Sequence, residues 1–485
     1  MNLFSVLNEA AKNWPGDAGI IRRSEVFRYG DLHRGAETLA SELRRLGLGR
    51  GTKIGVLCPD IPEQVMACFG ALRAGGICIP LSQALTSEEI ARFANEMAID
   101  GFCYTPHCER FLPRAHVDIR RVPIPGSGKY LVMKRTEKRS ATTQDRDALL
   151  RIDAAVIRLT SGTTGDAKGV ILSHAALLER AKVYRAVPPL GRDDAILLLY
   201  TTGTLVMNIL CSCMFEGTRA VISDAVDAQA IVKLIKQHGV TRVYASPLFF
   251  RAVTNDKSVE AKDFRDITYL FCTGSSLSAA AADAFAAKFG REVVEHYGLV
   301  ESGPVLMNLS QQSSKRGSVG TIRGNSEVNL SGGEWSSQDI GELCVRGPGL
   351  FDGYYRPWRS RDDVLEDGWF RTGDIARRDA DGYYWIVGRV KDVINVGGVK
   401  VFPHEIEEVL LSHPAVEEAV VYGVPEARFG EVPRAKVKLR AGVECAEKEI
   451  LQYANEKLSV FKALRLIEFV DEISKTVTGK PRRSG

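Results

Sequence analysis

Residues 159–174 read LTSGTTGDAKGVILSH, and this stretch decides how the rest of the chain is interpreted. Its first part concentrates hydroxyl, glycine and lysine residues, namely Thr160, Ser161, Gly162, Thr163, Thr164, Gly165, Lys168 and Gly169. Glycines let a backbone approach a ligand closely, and free N–H groups, hydroxyls and a lysine in such a turn bind anions. The same composition is ordinary for a surface turn, so the loop alone leaves both interpretations open. It departs from the Walker pattern, because Ala167 stands where the second glycine belongs.

The composition predicts an ordinary globular protein with more than one domain. The chain has 485 residues, of which 45% are hydrophobic and 26% are charged, and its net charge is +4. No basic block with interleaved aromatic residues suggests a nucleic-acid partner. The ten cysteines are scattered without the paired spacing of a zinc site, so we expect reduced thiols. The first residues lack a basic segment followed by an apolar run, and we therefore expect a cytoplasmic protein.

Residues 195–215 form an uncharged segment of about the length that crosses a bilayer. The segment contains Gly203, Asn208 and several hydroxyl residues, and Asp193 and Asp194 precede it. A buried strand, a turn and a buried helix explain this pattern better than a membrane span. We therefore expect no stable membrane insertion.

The order of the apolar segments predicts an α/β fold. Short strands are predicted at 53–58, 77–80, 155–160, 195–200, 220–222, 242–245 and 269–272, with helices such as 62–74, 228–238 and 279–289 between them. This alternation is typical of doubly wound parallel sheets, whose carboxyl edge binds ligands. Two runs, 274–276 and 297–299, are predicted to follow strand ends at that edge. The pattern weakens in residues 105–152, and residues 134–147 are interpreted as an exposed connection.

The remainder of the chain has a different predicted secondary-structure pattern. After residue 317 it becomes rich in strands, with a strand at 341–347 and a hairpin turn at Asp381-Gly382. From about residue 390 helices at 403–411 and 448–458 and strands at 419–422 and 435–439 form a compact α+β unit. We therefore expect a large N-terminal domain, 1–387, of doubly wound sheets with a β-rich subdomain. A small, mobile α+β domain, 388–485, follows it.

Four further runs follow the opening loop in a fixed order. They are YGLVES (297–302), FRTGD (370–374), GRVKDVINVGGVKVFPHEIE (388–407) and SKTVTGK (474–480). Together with residues 159–174 they resemble the adenylate-forming, or AMP-binding, superfamily of acyl-CoA synthetases, adenylation domains and luciferases. The resemblance covers nearly the whole chain and is greatest to the acid–CoA ligase branch.

The resemblance implies an enzyme that uses ATP, Mg²⁺ and coenzyme A. Such enzymes join a carboxylic acid to the α-phosphate of ATP, release pyrophosphate, and pass the acyl group to the thiol of coenzyme A. Cations and N–H donors are needed because two anions must meet during the first step. Residues 160–168 would then hold the β- and γ-phosphates.

The resemblance also assigns roles to single residues. The residues implied in catalysis are Lys480, Glu301 and Thr164, and the last two would hold Mg²⁺. Those implied in binding the nucleotide are Thr160, Ser161, Gly162, Thr163, Thr164, Gly165, Lys168, Gly274, Ser275, Ser276, His296, Tyr297, Gly298, Asp374, Ile386 and Arg389. Those implied at the hinge and near coenzyme A are Lys391, Gly397, Gly398 and Lys400.

The sequence says less about which carboxylic acid is the substrate and which group accepts its acyl part. The pocket is expected between segments 200–207, 246–249, 272–275 and 298–305, and its expected lining includes Tyr200, Thr201, Leu205, Leu248 and Val305. These segments are apolar with small residues, which favours an apolar or aromatic acid. Many acid–CoA ligases carry a histidine near Thr201, so a carrier protein or an amine is an alternative acceptor. A nucleotide-binding protein without turnover is the alternative from another class.

Overall fold

The computed structural model describes residues 2–113, 116–136, 143–161, 167–199, 204–225, 227–274, 277–332 and 339–474. The helices are α1 Phe4–Asn13, α2 Tyr29–Arg45, α3 Ile61–Ala74, α4 Ser87–Glu96, α5 Thr143–Arg151, α6 His174–Ala186, α7 Thr204–Glu216, α8 Ala228–His238, α9 Pro247–Asn255, α10 Ala279–Phe289, α11 Arg361–Val364, α12 Pro403–Leu411 and α13 Glu447–Lys457.

The first fifteen strands are β1 Ala18–Arg22, β2 Glu25–Arg28, β3 Lys53–Leu57, β4 Ile77–Pro80, β5 Gly101–Tyr104, β6 His116–Pro123, β7 Tyr130–Thr136, β8 Ala154–Ser161, β9 Ala167–Ser173, β10 Ala195–Leu198, β11 Arg219–Ile222, β12 Arg242–Ala245, β13 Tyr269–Cys272, β14 Val294–Leu299 and β15 Gly303–Met307. The later strands are β16 Thr321–Ile322, β17 Glu327–Ser331, β18 Ile340–Arg346, β19 Gly353–Tyr354, β20 Arg359–Ser360, β21 Phe370–Arg378, β22 Tyr384–Arg389, β23 Ile394–Val396, β24 Val399–Val401, β25 Val416–Glu426, β26 Gly430–Leu439 and β27 Ile467–Phe469.

Two nine-stranded sheets form most of the molecule. The first has the order β16-β15-β14-β13-β12-β10-β11-β1-β2, and its strands from β14 to β1 run parallel. The second has the order β20-β19-β9-β8-β4-β3-β5-β7-β6, with a parallel centre of β8, β4, β3 and β5. Antiparallel strands extend both parallel centres, as in many large α/β folds. The predicted doubly wound α/β architecture is confirmed.

A shared layer of helices separates the two sheets. Residues of α1, α2, α3, α6 and α7 belong to one buried cluster together with residues of β3 and β10, which lie in different sheets. Helices α8, α9 and α10 pack on the other face of the first sheet, and α4 packs on the other face of the second. Side chains from both sheets thus meet in one core.

Local sequence signals explain where several helices begin and end. Thr86 and Glu89 form a reciprocal capping box at the start of α4, with hydrogen bonds of 2.8 and 3.2 Å. Helix α3 has Pro62 in its first turn and ends at Gly75, whose φ of +88° favours glycine. Helix α12 begins at Pro403 and ends at Leu411, at the predicted bounds.

The uncharged segment 195–215 is strand β10 followed by helix α7, as predicted. No helix in the described part of the chain combines the length and the apolar character that crossing a membrane requires.

Two expectations about local structure were wrong. The expected connection, 134–147, is partly regular, because β7 extends to Thr136 and α5 begins at Thr143. Strand β7 also forms an antiparallel hairpin with β6 on the edge of the second sheet, and residues 118–121 of β6 are all exposed, so this strand lacks the alternation that marks a half-buried strand. Residues 297–299 do not follow a strand; they end β14, which pairs antiparallel with β15.

The last part of the chain contains two smaller sheets. One has the order β17-β18-β21-β22. The other has the order β24-β23-β26-β25, with β27 beside β26, and packs with α12 and α13 around a separate core from Ile394 to Ile467. The short segment Val390–Asp392 connects β22 to this unit.

Candidate functional site

The carboxyl edge of the first sheet brings several predicted residues together. In the parallel register Ala245 pairs with Cys272 and Cys272 with Glu295, so β12 and β13 end at one level and β14 continues beyond it to Leu299. Gly274 follows β13 with a φ of +91°, which favours glycine. A side chain at Gly298 is excluded, since a Cβ there would lie 2.2 Å from the carbonyl oxygen of Gly303.

The buried residues Tyr297 and Asp374 form a polar cluster with the partly exposed Arg389 beside this edge. The hydroxyl of Tyr297 donates a hydrogen bond of 2.6 Å to Oδ2 of Asp374, and Nε of Arg389 lies 2.8 Å from Oδ1. Asp374 is 3% exposed and pairs in register with Arg389 across β21 and β22. Burial, followed by the charge of Asp374, raises the pKa of Tyr297, so the phenol stays protonated and can donate. Ile386 lies on the same strand as Arg389.

A second cluster joins Glu301, Tyr354 and Lys168. The hydroxyl of Tyr354 donates a hydrogen bond of 3.1 Å to Oε1 of Glu301. Nζ of Lys168 lies 5.4 Å from the centre of the Tyr354 ring, within the range of a cation–π contact. Burial and the charge of Glu301 raise the pKa of Tyr354. Sequence reasoning missed Tyr354; its signal is an aromatic pair after Gly353, on a strand that pairs with β9.

Arg180 holds the backbone that carries Glu301. Its side chain on α6 is 1% exposed and donates to three carbonyl oxygens: Gly349 at 2.7 Å, Val300 at 2.8 Å and Glu301 at 2.9 Å. Burial lowers the pKa of Arg180 to about 10, which leaves the guanidinium charged at neutral pH. The sequence analysis missed this residue as well, although an arginine among apolar helical residues is a recognisable signal.

Two titratable residues of β14 have altered pKa values. Burial lowers the pKa of His296 to about 4, and its ring packs edge-on against Tyr184 with 6.2 Å between centroids. Burial, and secondly the charge of Glu408, raises the pKa of Glu295 to about 8. Both groups are therefore uncharged at neutral pH.

Several predicted site residues lie outside the described residues. They are Gly162, Thr163, Thr164, Gly165, Tyr200, Thr201, Ser275, Ser276 and Lys480. The backbones of Thr160 and Ser161 end β8 and pair with Lys168 and Ala167 of β9, so the loop joins two antiparallel strands.

The predicted lining residues of the acid pocket differ in exposure. Leu205 belongs to the first turn of α7, and Val305 is buried on β15. Leu248 is 63% exposed, because α9 turns Phe249 and Phe250 inward.

The predicted hinge and coenzyme A residues lie around the start of the C-terminal unit. Lys391 is in the connecting segment, and Lys400 is on β24. Gly397 and Gly398 form the turn between β23 and β24 with φ values of +60° and +90°, which glycine adopts without strain. A Cβ at Gly398 would meet nothing within 4 Å, so this turn has open space beside it.

Within the described residues, the one group of three potential metal ligands outside this site is His413, Cys445 and Glu449. Nδ1 of His413 accepts a hydrogen bond of 3.2 Å from the amide of Ala415. The proton of the neutral ring is therefore on Nε2, and neither nitrogen offers a lone pair to a metal. Glu301, whose Oε1 accepts one hydrogen bond from Tyr354, is a carboxylate of the kind that Mg²⁺ prefers as a ligand.

Comparisons with known proteins agree with this geometry. Residues 7–355 match the family described as AMP-binding enzyme, and residues 405–480 match the family described as AMP-binding enzyme C-terminal domain. The chain is 29% identical to a long-chain-fatty-acid–CoA ligase of Yersinia pestis, over 99% of this chain and 92% of that protein. It is 30% identical to 4-coumarate–CoA ligase 3 of Oryza sativa subsp. japonica, over 94% and 86%. The crystal structure of ATP-bound MatB from Rhodopseudomonas palustris shares the fold, with a TM-score of 0.85, 24% identity and coverage of 99% and 97%.

Proposed function

The chain belongs to the AMP-binding enzyme family, and we propose that it is an AMP-forming acid–CoA ligase that acts on an apolar or aromatic carboxylic acid. It uses ATP, Mg²⁺ and coenzyme A. The observation that carries the proposal is the link between Asp374 and β14: Tyr297 contacts Asp374, and Glu301 follows four residues later. A group that can accept from ribose hydroxyls and a group that can hold a cation thus lie along one sheet edge.

In the first step an oxygen of the carboxylate attacks the α-phosphorus of ATP. The new bond gives an acyl-AMP, the bond to the β-phosphate oxygen breaks, and pyrophosphate leaves. We assign Lys480 to neutralise the approach of the two anions and residues 160–168 to hold the leaving group. Bound Mg²⁺ supplies additional positive charge to the phosphates, and Thr164 and Glu301 are assigned to hold it.

The nucleotide is assigned to the cluster around Tyr297. Asp374 keeps lone pairs for the ribose hydroxyls, since each of its oxygens has one contact among the described residues. Arg389 reaches the ribose or the phosphate from the neighbouring strand. Lys168 is assigned to the phosphates, and the residues assigned beside the adenine are Gly274, Ser275, Ser276, Gly298 and Ile386.

In the second step the thiol of coenzyme A attacks the acyl carbonyl carbon. A thioester forms, the bond to the phosphate oxygen breaks, and AMP leaves with the electron pair. We assign the boundary between 1–387 and 388–485 to the domain rotation that separates the steps, with its hinge at Lys391. Gly397 and Gly398 then leave room for the pantetheine arm, and Lys400 lies beside them.

The acid is assigned to the pocket lined by Tyr200, Thr201, Leu205, Leu248 and Val305. A carrier-protein thiol remains the alternative acceptor.

We place the enzyme in the cytoplasm, which agrees with the absence of any disulfide among its ten cysteines, all within the described residues.

The test is incubation of the purified protein with ATP, Mg²⁺ and a panel of fatty, benzoic and hydroxycinnamic acids, with and without coenzyme A. Release of AMP that requires both an acid and coenzyme A is the expected result. Acyl-AMP that coenzyme A does not consume would instead favour a carrier protein or an amine. Absence of AMP with every acid would overturn the proposal.

A further inference from the structure

His296 lies beside the nucleotide cluster in sequence, yet its side chain faces the other side of β14. Successive residues of a strand point to opposite faces. Tyr297 reaches Asp374 on one face, whereas His296 packs edge-on against Tyr184 of α6 on the other. The imidazole is therefore directed into the helical layer between the sheets and away from Asp374.

The strand register places His296 at the level where the acid pocket is expected. Phe271 pairs with Val294, so the positions two residues farther along are Thr273 and His296. In the same way Tyr244 pairs with Phe271, which brings Ser246 to this level. Ser246 and Thr273 belong to segments 246–249 and 272–275, which the sequence analysis expects to line the pocket. His296, on the neighbouring strand β14, is the third residue at this level.

The ring nitrogens of His296 have no polar partner in the part of the chain that the structure describes. Both are shielded from solvent, and neither makes a hydrogen bond there. An unsatisfied buried polar group destabilises a fold, so such groups are rare without a ligand or a role. Burial lowers the pKa of His296 to about 4, and the ring is neutral at physiological pH. It therefore offers one donor and one acceptor.

A second unsatisfied polar atom lies in the same helical layer. Oδ1 of Asn208 on α7 is shielded and has no partner among the described residues. Its neighbours Val206 and Ile209 belong to the same core as Val294 and Tyr184. An amide oxygen can only accept, so a group that satisfies it must donate a hydrogen. A hydroxyl, which both donates and accepts, suits the neutral ring of His296.

We propose that His296 determines specificity by hydrogen-bonding a hydroxyl group on the acyl part of the acid. The enzyme then selects acids that carry a hydroxyl over analogues that have hydrogen in its place. This inference rests on the proposed acid–CoA ligase activity and narrows its substrate class. It assigns His296 to the acid and removes it from the nucleotide.

The experiment measures kcat/KM for pairs of acids that differ by one hydroxyl, such as cinnamic and 4-hydroxycinnamic acid or octanoic and 8-hydroxyoctanoic acid. The native protein is compared with His296→Leu, which removes both polar atoms, and with His296→Gln, which keeps a donor and an acceptor. We expect a preference of about tenfold for the hydroxylated member of at least one pair, the value of one net hydrogen bond. The preference should fall to about one in His296→Leu and be partly kept in His296→Gln, with KM for ATP unchanged in both.

Two results would overturn the inference. One is a native protein that prefers the unsubstituted acid in every pair, a measurement that needs no variant. The other is a variant with a raised KM for ATP and an unaltered acid preference, which would return His296 to the nucleotide. If His296→Leu does not fold, the comparison of His296→Gln with the native protein decides between acid and nucleotide. Failure of the proposed function is distinct, because no acid would then release AMP from the native protein.

Discussion

The hydroxyl of Tyr354 donates to Oε1 of Glu301 at 3.1 Å, and this bond connects the two large sheets. Tyr354 is on β19 of the second sheet, whereas Glu301 lies between β14 and β15 of the first. The proposed Mg²⁺ ligand is thus oriented by the sheet that carries the phosphate loop. Lys168, over the ring of Tyr354, belongs to that same second sheet.

Replacement of Tyr354 should disturb Mg²⁺ use without unfolding the protein. Tyr354→Phe removes only the hydroxyl, so Glu301 loses a donor that fixes its orientation. We expect kcat to fall about tenfold and half-maximal activity to need more Mg²⁺. The matched control is Tyr355→Phe, the adjacent buried tyrosine, whose ring packs in a different core. An unaltered Mg²⁺ dependence in Tyr354→Phe would contradict the positioning role.

The buried guanidinium of Arg180 should contribute strongly to stability. Arg180→Met leaves the carbonyl oxygens of Val300, Glu301 and Gly349 without this donor. We expect the free energy of unfolding to fall by about 3 kcal/mol in urea titrations. The control is Arg185→Met on the same helix, whose exposed ion pair with Glu216 is worth less than about 1 kcal/mol. Equal losses in the two variants would show that the three carbonyl contacts add nothing.

Local sequence patterns correctly predict the helices whose ends carry a strong signal, such as a proline. The proline at 403 and the apolar spacing of Ile406 and Leu410 predicted α12 with its correct bounds. The β6 strand was missed because its exposed edge carries charged residues where a half-buried strand would show alternation. Its partner β7 overlaps the interval interpreted as a connection only at residues 134–136.

The site was only partly predictable, for a different physical reason. Arg180 acts on residues more than one hundred positions away, and Tyr354 acts on Glu301 across 53 positions. A sequence pattern shows which side chains are chemically able to bind a nucleotide or a metal ion. The contacts that each of these side chains makes depend instead on how the sheets pack. His296 shows the same limit, because adjacency to Tyr297 suggested the nucleotide while the strand turns its ring the other way.

The contacts of Asp374 predict that replacing this carboxylate raises the KM for ATP. Asp374→Asn removes the charge that pairs with Arg389 and weakens acceptance from Tyr297. We expect KM for ATP to rise about tenfold, since hydrogen bonds to a charged group are the stronger ones. Asp381→Asn is the control, because Asp381 lies at the turn of the same hairpin and its side chain is 72% exposed. The assignment fails if both variants bind ATP equally well.

The buried carboxyl group of Glu295 makes stability depend on pH. Its pKa is raised from 4.5 to about 8, so between these values the folded state holds a proton that the unfolded state has lost. Stability therefore falls as pH rises through this window, by at most about 1.4 kcal/mol per pH unit. Glu295→Gln should flatten this dependence and raise Tm more at pH 8 than at pH 5.

A second variant separates the two causes of the raised pKa. Glu408→Gln removes the neighbouring charge and leaves burial unchanged, so it should reduce the pH dependence without abolishing it. Thermal unfolding between pH 5 and pH 8.5 measures all three proteins. A native protein that becomes more stable with rising pH across this range would contradict the neutral state of Glu295.

The assignment of Lys480 predicts that the two half-reactions can be separated. Lys480→Ala removes the cation assigned to the approach of the carboxylate to the α-phosphate, so exchange of pyrophosphate into ATP should fall at least about a thousandfold. Transfer from supplied acyl-AMP to coenzyme A should remain, because the proposed domain rotation would move this lysine away before the thiol attacks. The control is Lys462→Ala in the same unit, whose exposed ion pair with Glu405 lies within the C-terminal domain and should spare both steps. If pyrophosphate exchange survives in Lys480→Ala, the carboxylate is activated by another cation, and Lys168 becomes the residue to replace next.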